Sequence, residues 1–555
     1  MSDRIIRSGR LRRAAPFARA LAVALGAGLA VDAGAFEIDT GNPELKIHWD
    51  QTLRYNFGKR VQAQDPAILA NPNKDDGDRN FAKGSTVTNR IDLLSELDIV
   101  YKDDLGLRLS AAGWADQAYT GRLDNRSVAT SNHLVNGEQA LGLSPYTRRY
   151  SRGPSGEWLD AFVFGSFDLG GKLLSVRAGQ HSIYWGESLL DPVNGIAYGQ
   201  APLDLNKAYS TPGIEVKELF RPVPQLSATL QATPELSLAA QYLFKWRDNR
   251  FPESGSYLMD IDPLQHGGDA YILAPGVFFT QGRAITPKNG SEWGLAARWS
   301  PRWLDGTAGL YVRRFSDKMP QLVVNAGTGE YLLNYAAGVQ LYGLSLAKQV
   351  AGISVGADLN LRRNMPLNND GALVMSAADL PARGDTLAPR GKTLHGVVNA
   401  LAAVGKTPLF DAASWVAELS WTRLLSVQSD PQGSFTGRAG YDAIDRVSKD
   451  FFGIGLKFTP KWFQVFPGAD LSTAFAYSTG LAGNSAVLGG GNKRSGSFSV
   501  DLGLDWYQRH RFDLQYVGYF GDRTIDPASG AVTVVPGNGA IRDRGAVYLT
   551  FKTTF

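Results

Sequence analysis

The stretch from Leu45 to Phe57 reads LKIHWDQTLRYNF. Leu45, Ile47, Trp49, Leu53, Tyr55 and Phe57 share one side, and Lys46, His48, Asp50, Thr52, Arg54 and Asn56 the other. Successive side chains of an extended chain point to opposite faces, so a period of two marks a strand with one apolar and one polar surface. The same rhythm returns far along the chain. Ile91, Leu93, Leu97, Ile99 and Tyr101 alternate with Asp92, Glu96, Asp98 and Lys102. Phe498, Val500, Leu502, Leu504 and Trp506 alternate with Ser499, Asp501, Gly503, Asp505 and Tyr507, and Phe512, Leu514, Tyr516 and Phe520 with Asp513, Gln515 and Tyr519. No i, i+3, i+4 stripe of ten or more residues follows residue 40; a short helical turn around Glu215–Leu219 is the kind of helix the pattern allows.

About eighteen such segments can be marked: 45–57, 91–101, 105–115, 159–169, 172–184, 225–232, 236–246, 293–299, 305–315, 339–347, 351–361, 393–404, 413–424, 451–459, 469–477, 496–506, 511–520 and 545–555. Their connections alternate in length. Short ones fall at Lys102–Leu105, Gly170–Gly171, Thr233–Glu235, Ser300–Trp303, Lys348–Val350 and Arg509–His510. Between them lie long ones, including 58–88, 116–156, 185–224, 247–290, 362–392, 425–450 and 521–543. A soluble sandwich has no reason to alternate its loops in this way. A bacterial outer-membrane barrel does, with short periplasmic turns, long outer loops and an even number of strands. The expected fold is therefore an all-β transmembrane antiparallel barrel of about 18 strands, within a range of 16 to 18, filling 36–555 as one domain.

In the final strand Val547, Leu549, Phe551 and Phe555 point one way, and Tyr548, Thr550, Lys552 and Thr554 the other. Phe551 and the terminal Phe555 resemble the insertion signal of outer-membrane barrels, read by the barrel assembly machinery, although Thr553 stands where an apolar residue is usual. Trp49, Trp246, Trp299, Trp421 and Trp506 near strand ends suit the aromatic girdles of such a barrel.

Residues 1–35 read as a cleaved secretory leader: Arg4, Arg7, Arg10, Arg12, Arg13 and Arg19, an apolar run from Ala20 to Val31, and Ala33-Gly34-Ala35 as the cleavage site. The apolar run is too short to cross ~30 Å of hydrocarbon. Taking the leader's six arginines and two aspartates from 57 basic and 53 acidic residues leaves 51 of each, so a nucleic-acid partner has no electrostatic basis. Cysteine is absent, which excludes disulfide scaffolds and thiolate metal sites. With 44% hydrophobic residues the chain is not a disordered one, and no run of 18 apolar residues beyond the leader suggests a spanning helix.

Motifs for chemistry are missing. The six histidines (His48, His133, His181, His266, His395, His510) show no metal spacing. No nucleophile elbow, Walker loop or dinucleotide fingerprint appears, so no enzyme, no metal and no cofactor are expected. His181 and Ser182 are adjacent on a strand, point to opposite faces and make no catalytic pair. NPNKDDGDRN from Asn71 to Asn80 resembles a calcium loop but puts Asp76 and Ala82 where the EF-hand needs Gly and Glu. It is read instead as an acidic surface loop that touches divalent ions or lipopolysaccharide without specificity. The charged residues taken to face the lumen are Arg54, Asp92, Glu96, Asp98, Asp160, Arg177, Lys245, Arg247, Arg298, Arg362, Asp501 and Asp505. They form either a wall network of ion pairs or a selective binding track. The segment 185–224 is long, Pro-containing and rich in apolar groups, which suits a lumenal plug as well as a mobile outer loop.

Several long stretches together resemble a known family: FEIDTGNPELKIHWDQTLRYN after the leader, DDGDRNFAKGSTVTNRIDLLSELDIVY at 75–101, RAGQHSIYWGES through STPGIEVKELFRPVPQLSATL at 177–230, and LSLAAQYLFKWRDNR from Leu236 to Arg250. It is an uncharacterised proteobacterial outer-membrane β-barrel family that carries only a domain-of-unknown-function label. The match thins from 365 to 450, and YAAGV at Tyr335–Val339 replaces a more acidic, Pro-containing stretch. The resemblance implies a barrel in the outer membrane of a Gram-negative bacterium. By association it also implies work beside a periplasmic lipid-carrier-like protein and an inner-membrane pump, and so movement of hydrophobic or lipid-like compounds. The family brings no catalytic or ligand residue. A general diffusion porin and a loop-bearing adhesion or assembly scaffold are the alternatives, with a barrel-embedded hydrolase behind them.

Overall fold

The computed structural model describes residues 36–555 apart from Gln265. The leader expected at 1–35, with its cleavage residues Ala33 and Ala35, lies outside the described residues. One sheet holds nineteen strands, of which one is the two-residue strand Phe36–Glu37 pairing with Trp49 and His48. The other eighteen follow one another around a barrel. They are β1 (Leu45–Arg60), β2 (Thr86–Tyr101), β3 (Leu105–Asp116), β4 (Ser155–Asp168), β5 (Leu173–His181) and β6 (Val223–Thr233). Then come β7 (Leu236–Leu243), β8 (Glu292–Trp299), β9 (Gly306–Phe315), β10 (Val339–Val350), β11 (Ile353–Pro366) and β12 (Arg390–Val404). The circuit ends with β13 (Ala412–Ser429), β14 (Asp450–Phe466), β15 (Ala469–Ala482), β16 (Gly496–Trp506), β17 (His510–Phe520) and β18 (Ala546–Thr554). β18 pairs antiparallel with β1, Thr554 opposite Thr52, and the barrel closes without an edge. Each of the eighteen expected segments falls on one of these strands.

The loops alternate all the way round. Eight short connections, at 102–104, 169–172, 234–235, 300–305, 351–352, 405–411, 467–468 and 507–509, face nine long ones of 13 to 48 residues. The turn expected at Lys348–Val350 is displaced, because β10 continues to Val350 and the chain reverses at Ala351 (φ +49°) and Gly352 (φ +82°). Two left-handed residues match the twist of the flanking strands, which sets the position of this reversal.

Polar residues point inward and apolar ones outward, the reverse of a soluble protein. Along β1, Thr52, Arg54, Asn56 and Arg60 are buried while Leu53, Tyr55 and Phe57 keep contact with the outside. On β2, Leu93 is 44% exposed and its neighbour Asp92 only 5%. Such a surface fits lipid, where a closed sheet satisfies its backbone internally and the outer face needs no polar groups. Trp49, Trp299 and Trp506 are exposed at the short-turn end of their strands, as a girdle requires. Trp421 sits away from that end, its indole N–H donating to Asp450 at 3.0 Å. Trp246 is not a girdle residue: it follows the end of β7 and packs edge-on against Tyr335 at 4.8 Å between centroids.

At the long-loop end, three loops contribute a second, five-stranded sheet (Ala270–Ala274, Val277–Gln281, Gln321–Asn325, Glu330–Asn334 and Ala372–Val374). The acidic stretch Asn71–Asn80 is part of this packing and is not a surface loop. Asp75 and Asp78 are fully buried, and Asp78 accepts from Arg60 at 2.5 Å and faces Arg544 at 3.1 Å. Burial, and then the neighbouring Asp262 and Asp75, push the Asp76 carboxyl well above its usual range. Among the described residues no group of three or more His, Asp or Glu side chains has metal-binding geometry. The cause is simple: Asp78 meets Arg60 of β1 and Arg544 of the loop before β18, and Asp76 accepts from the Asn132 N–H, partners that no local pattern announces.

Candidate functional site

The loop 182–222 between β5 and β6 is bound from the inner wall of the barrel. Its first part is gripped by its backbone. Asp358 on β11 accepts from the N–H groups of Glu187 (2.9 Å) and Ile196 (3.1 Å). Glu418 on β13 accepts from three successive N–H groups, those of Leu189 (2.6 Å), Leu190 (2.9 Å) and Asp191 (2.5 Å). The carbonyls go to arginines. Arg362 on β11 donates to Val193 O (2.7 Å) and Gly195 O (3.0 Å), and Arg313 on β9 to Ile196 O (2.7 Å) and Tyr198 O (2.9 Å). Asn194 is a hub, its amide oxygen meeting His395 Nδ1 (2.9 Å) and the Thr422 hydroxyl (2.5 Å). All of these side chains are buried. Inward glycines leave room for the loop: a Cβ on Gly294 would stand 2.7 Å from the Trp185 ring, and one on Gly343 2.9 Å from Ile196.

The second part is held by side chains instead. Asp204 pairs with Arg250 at 2.6 Å and Lys207 with Glu157 of β4 at 2.6 Å. The helical turn Val216–Leu219 forms where the sequence placed one, capped by Glu215. Its Glu218 receives Arg54 of β1 at 2.9 Å, Lys217 pairs with Glu96 of β2, and Glu215 with Lys552 of β18 at 2.5 Å. The loop thus ties β9, β11 and β13 to β1, β2, β4 and β18 across the interior.

Most of the charged residues singled out from the sequence join one of these networks. Arg54 also lies 3.7 Å from Asp92, which is bound by Arg90 at 2.8 Å. Glu96, Asp98 and Asp160 surround Arg108 at 2.6, 2.8 and 3.6 Å. Asp501 and Asp505 face Arg511 at 3.8 and 2.6 Å. Arg298 reaches Glu187 of the loop at 3.6 Å, whereas Arg177 is exposed over the Phe162 ring. Lys245 and Arg247 lie beyond the end of β7 and on no strand. β7 stops at Leu243, opposite Glu292 at the start of β8, and without a partner strand the alternation of 244–247 builds no sheet. Phe551 packs against Phe512 at 5.0 Å, and the Phe555 N–H and C=O pair with Gln51. His181 accepts or donates to Ser227 (2.8 Å), not Ser182.

Asp358, Glu418, Arg313, Asn194 and His395 were not singled out. Each lies on a polar strand face or in the loop, and its role comes from the partner it meets. In the long loop 244–291, Glu253 is buried beside Ser151 and its carboxyl is pushed up to about 7 by that burial. The inner face of β14–β16 is unlike the gripped wall: it carries Gly453, Gly455, Ala474, Ala476, Ser478, Ser497 and Ser499.

Among solved structures the chain is similar to the outer membrane protein OpdK of Pseudomonas aeruginosa (11% identity, 92% of this chain and 98% of that one, TM-score 0.36). It is also similar to OccAB3 of Acinetobacter baumannii (11% identity, 92% and 99%, TM-score 0.39) and to OccD3 (OpdP) of Pseudomonas aeruginosa (9% identity, 94% and 93%, TM-score 0.39). These likenesses are distant, and the fold rests on the chain's own strand pairing. No curated protein matches the chain. A family model described as a protein of unknown function, DUF1302, matches residues 16–555, and the chain belongs to that family.

Proposed function

We propose that this protein is an outer-membrane channel whose lumen is constricted by the segment 185–224, and that it moves hydrophobic or lipid-like compounds across the envelope of a Gram-negative bacterium. The observation that carries this is the grip of Asp358, Glu418, Arg313 and Arg362 on the backbone of 187–198. Strand residues that bind a loop from the polar side of a barrel wall act as supports for an obstruction in its interior. Leu189, Leu190 and Val216 stay exposed on this loop, which suits passage of apolar groups better than a path for ions alone. On this reading the leader is removed during export and the barrel assembly machinery inserts the chain beside lipopolysaccharide. A periplasmic lipid-carrier-like protein and an inner-membrane pump would serve the same flow.

The test is single-channel conductance of the refolded mature barrel in a planar bilayer, with and without residues 190–222. A silent intact barrel that conducts after the deletion supports the constriction. A large steady current from the intact barrel sinks it and favours the second reading, a general diffusion porin, for which the small side chains on the inner face of β14–β16 leave room.

A further inference from the structure

We infer that the space between Leu189–Leu190 and the inner face of β14–β16 is a binding site for an amphipathic organic monoanion, with Lys457 as the contact for its charged head. This rests on the reading of the interior as a solute path and narrows the class of solute. It starts from two leucines that cannot turn away from water. The backbone N–H groups of Leu189 and Leu190 are fixed on Glu418, yet their residues are 51% and 42% exposed. Pinned apolar side chains facing solvent inside a protein form a surface that is stabilised when an apolar body covers it.

What faces them is specific. A Cβ on Gly455 of β14 would stand 3.0 Å from Leu190 Cδ1, so Leu190 already reaches the wall there. In the same row Gly455 lies opposite Ser478, and Ser478 opposite Ser497, their hydroxyls 3.2 Å apart. One row further along, Lys457 lies opposite Ala476, and Ala476 opposite Ser499. The wall therefore offers little bulk, a few hydroxyl donors and one cation.

Lys457 is exposed; among the described residues it makes no ion pair within 4 Å, and its charge acts on Asp501 through space. The carboxylates along the wall, Asp501, Asp505 and Asp513, share Arg511 at 3.8, 2.6 and 2.7 Å. Below the leucines, Glu418 is saturated by the three N–H groups, with the Asn399 amide at 3.3 Å. A long ammonium side chain two residues along the strand from the glycine that Leu190 touches matches a molecule with an apolar body and a single negative end.

The test is a ligand-detected NMR titration of the full mature barrel in amphipol, with hexanoate and hexan-1-ol as probes. Hexanoate should bind the wild type more tightly than hexan-1-ol does. Lys457→Met should weaken hexanoate about tenfold, the size of one lost charge-assisted contact, and leave hexan-1-ol unmoved. The double change Leu189→Ser and Leu190→Ser should weaken both probes. Heat-modifiable mobility on a gel verifies that each variant is a folded barrel. No hexanoate binding to the wild type, or binding indifferent to Lys457→Met, overturns the site. Conductance separates this from the channel reading: a barrel that binds hexanoate but never conducts, even without 190–222, would sink the channel and keep the site.

Discussion

The two ends of the loop 182–222 are attached by opposite means. Residues 187–198 are held by their peptide groups, with carboxylates on the N–H side and guanidiniums on the C=O side, all buried. Residues 204–218 are held by side-chain ion pairs: those of Asp204, Lys207 and Glu218 are buried, and only Lys217 and Glu215, 43% and 25% exposed, face solvent. The physical consequences differ. A buried charge stripped of its partners is strongly unfavourable, so the first attachment releases only if water floods the wall. A part-exposed ion pair is worth little and exchanges readily with water and salt. The comparison teaches that one loop can be fixed both through its backbone and through buried side-chain pairs, and that its loosest point is the part-exposed pair of Lys217 and Glu215.

The sharpest way to break this contrast is Glu418→Ala. It leaves three consecutive N–H groups without an acceptor, a loss of about 2–5 kcal/mol, and should release 187–198. Hydrogen exchange at Leu189–Asp191 should accelerate far more than at 213–219, and conductance should rise; equal protection at both sites would erase the distinction. Glu218→Gln comes next. It weakens the grip of Arg54, and Arg54 keeps Asp92 at 3.7 Å, so a smaller loss of about 1–2 kcal/mol is expected. Exchange should quicken around Val216–Leu219 while 187–198 stays protected.

A pH series probes the attachment of 204–218 from the outer side. Glu253, with its carboxyl raised to about 7, lies near Arg250, the partner of Asp204. Its folded form holds a proton that the unfolded chain has already lost. Stability contributed here is therefore lost as pH rises from the ordinary Glu range through about 7. Glu253→Gln should flatten the dependence of thermal unfolding between about pH 5 and 8; an unchanged slope would remove Glu253 from the account. Salt gives the smallest effect. Raising ionic strength from about 0.1 to 1 M shortens the screening length from about 10 to 3 Å. Protection near Lys217 should fall slightly and that at Leu189–Asp191 not at all, as read by the same exchange experiment.

Much of the barrel was readable from residues. The alternation of Leu53, Tyr55 and Phe57 with Arg54 and Asn56 is a local property of an extended chain, and so is the reversal at Gly170–Gly171. The end of β7 at Leu243, before Lys245 and Arg247, shows the limit of that reading. Alternation continues there in the sequence, but a strand exists only while a neighbour pairs with it, and β8 begins at Glu292. The acidic run shows the same limit: Asp75 has its partner Arg79 four residues on, but Asp78 is met by arginines from positions 60 and 544 and Asp76 by the Asn132 N–H.

The sequence by itself determined the period-2 strands, their number, the short and long loops between them, and which face of each strand is polar. These follow from interactions between residues a few positions apart and from the demand that an apolar face meet an apolar medium. The tertiary structure alone decided what the polar face does. Glu418 and Leu189 are separated by 229 positions, Arg54 and Glu218 by 164. A carboxylate on a strand looks the same in sequence whether it meets water, an arginine or three peptide N–H groups. Closure of the barrel and the path of the loop 182–222 select among those partners, because hydrogen bonds form between groups that the fold brings within about 3 Å.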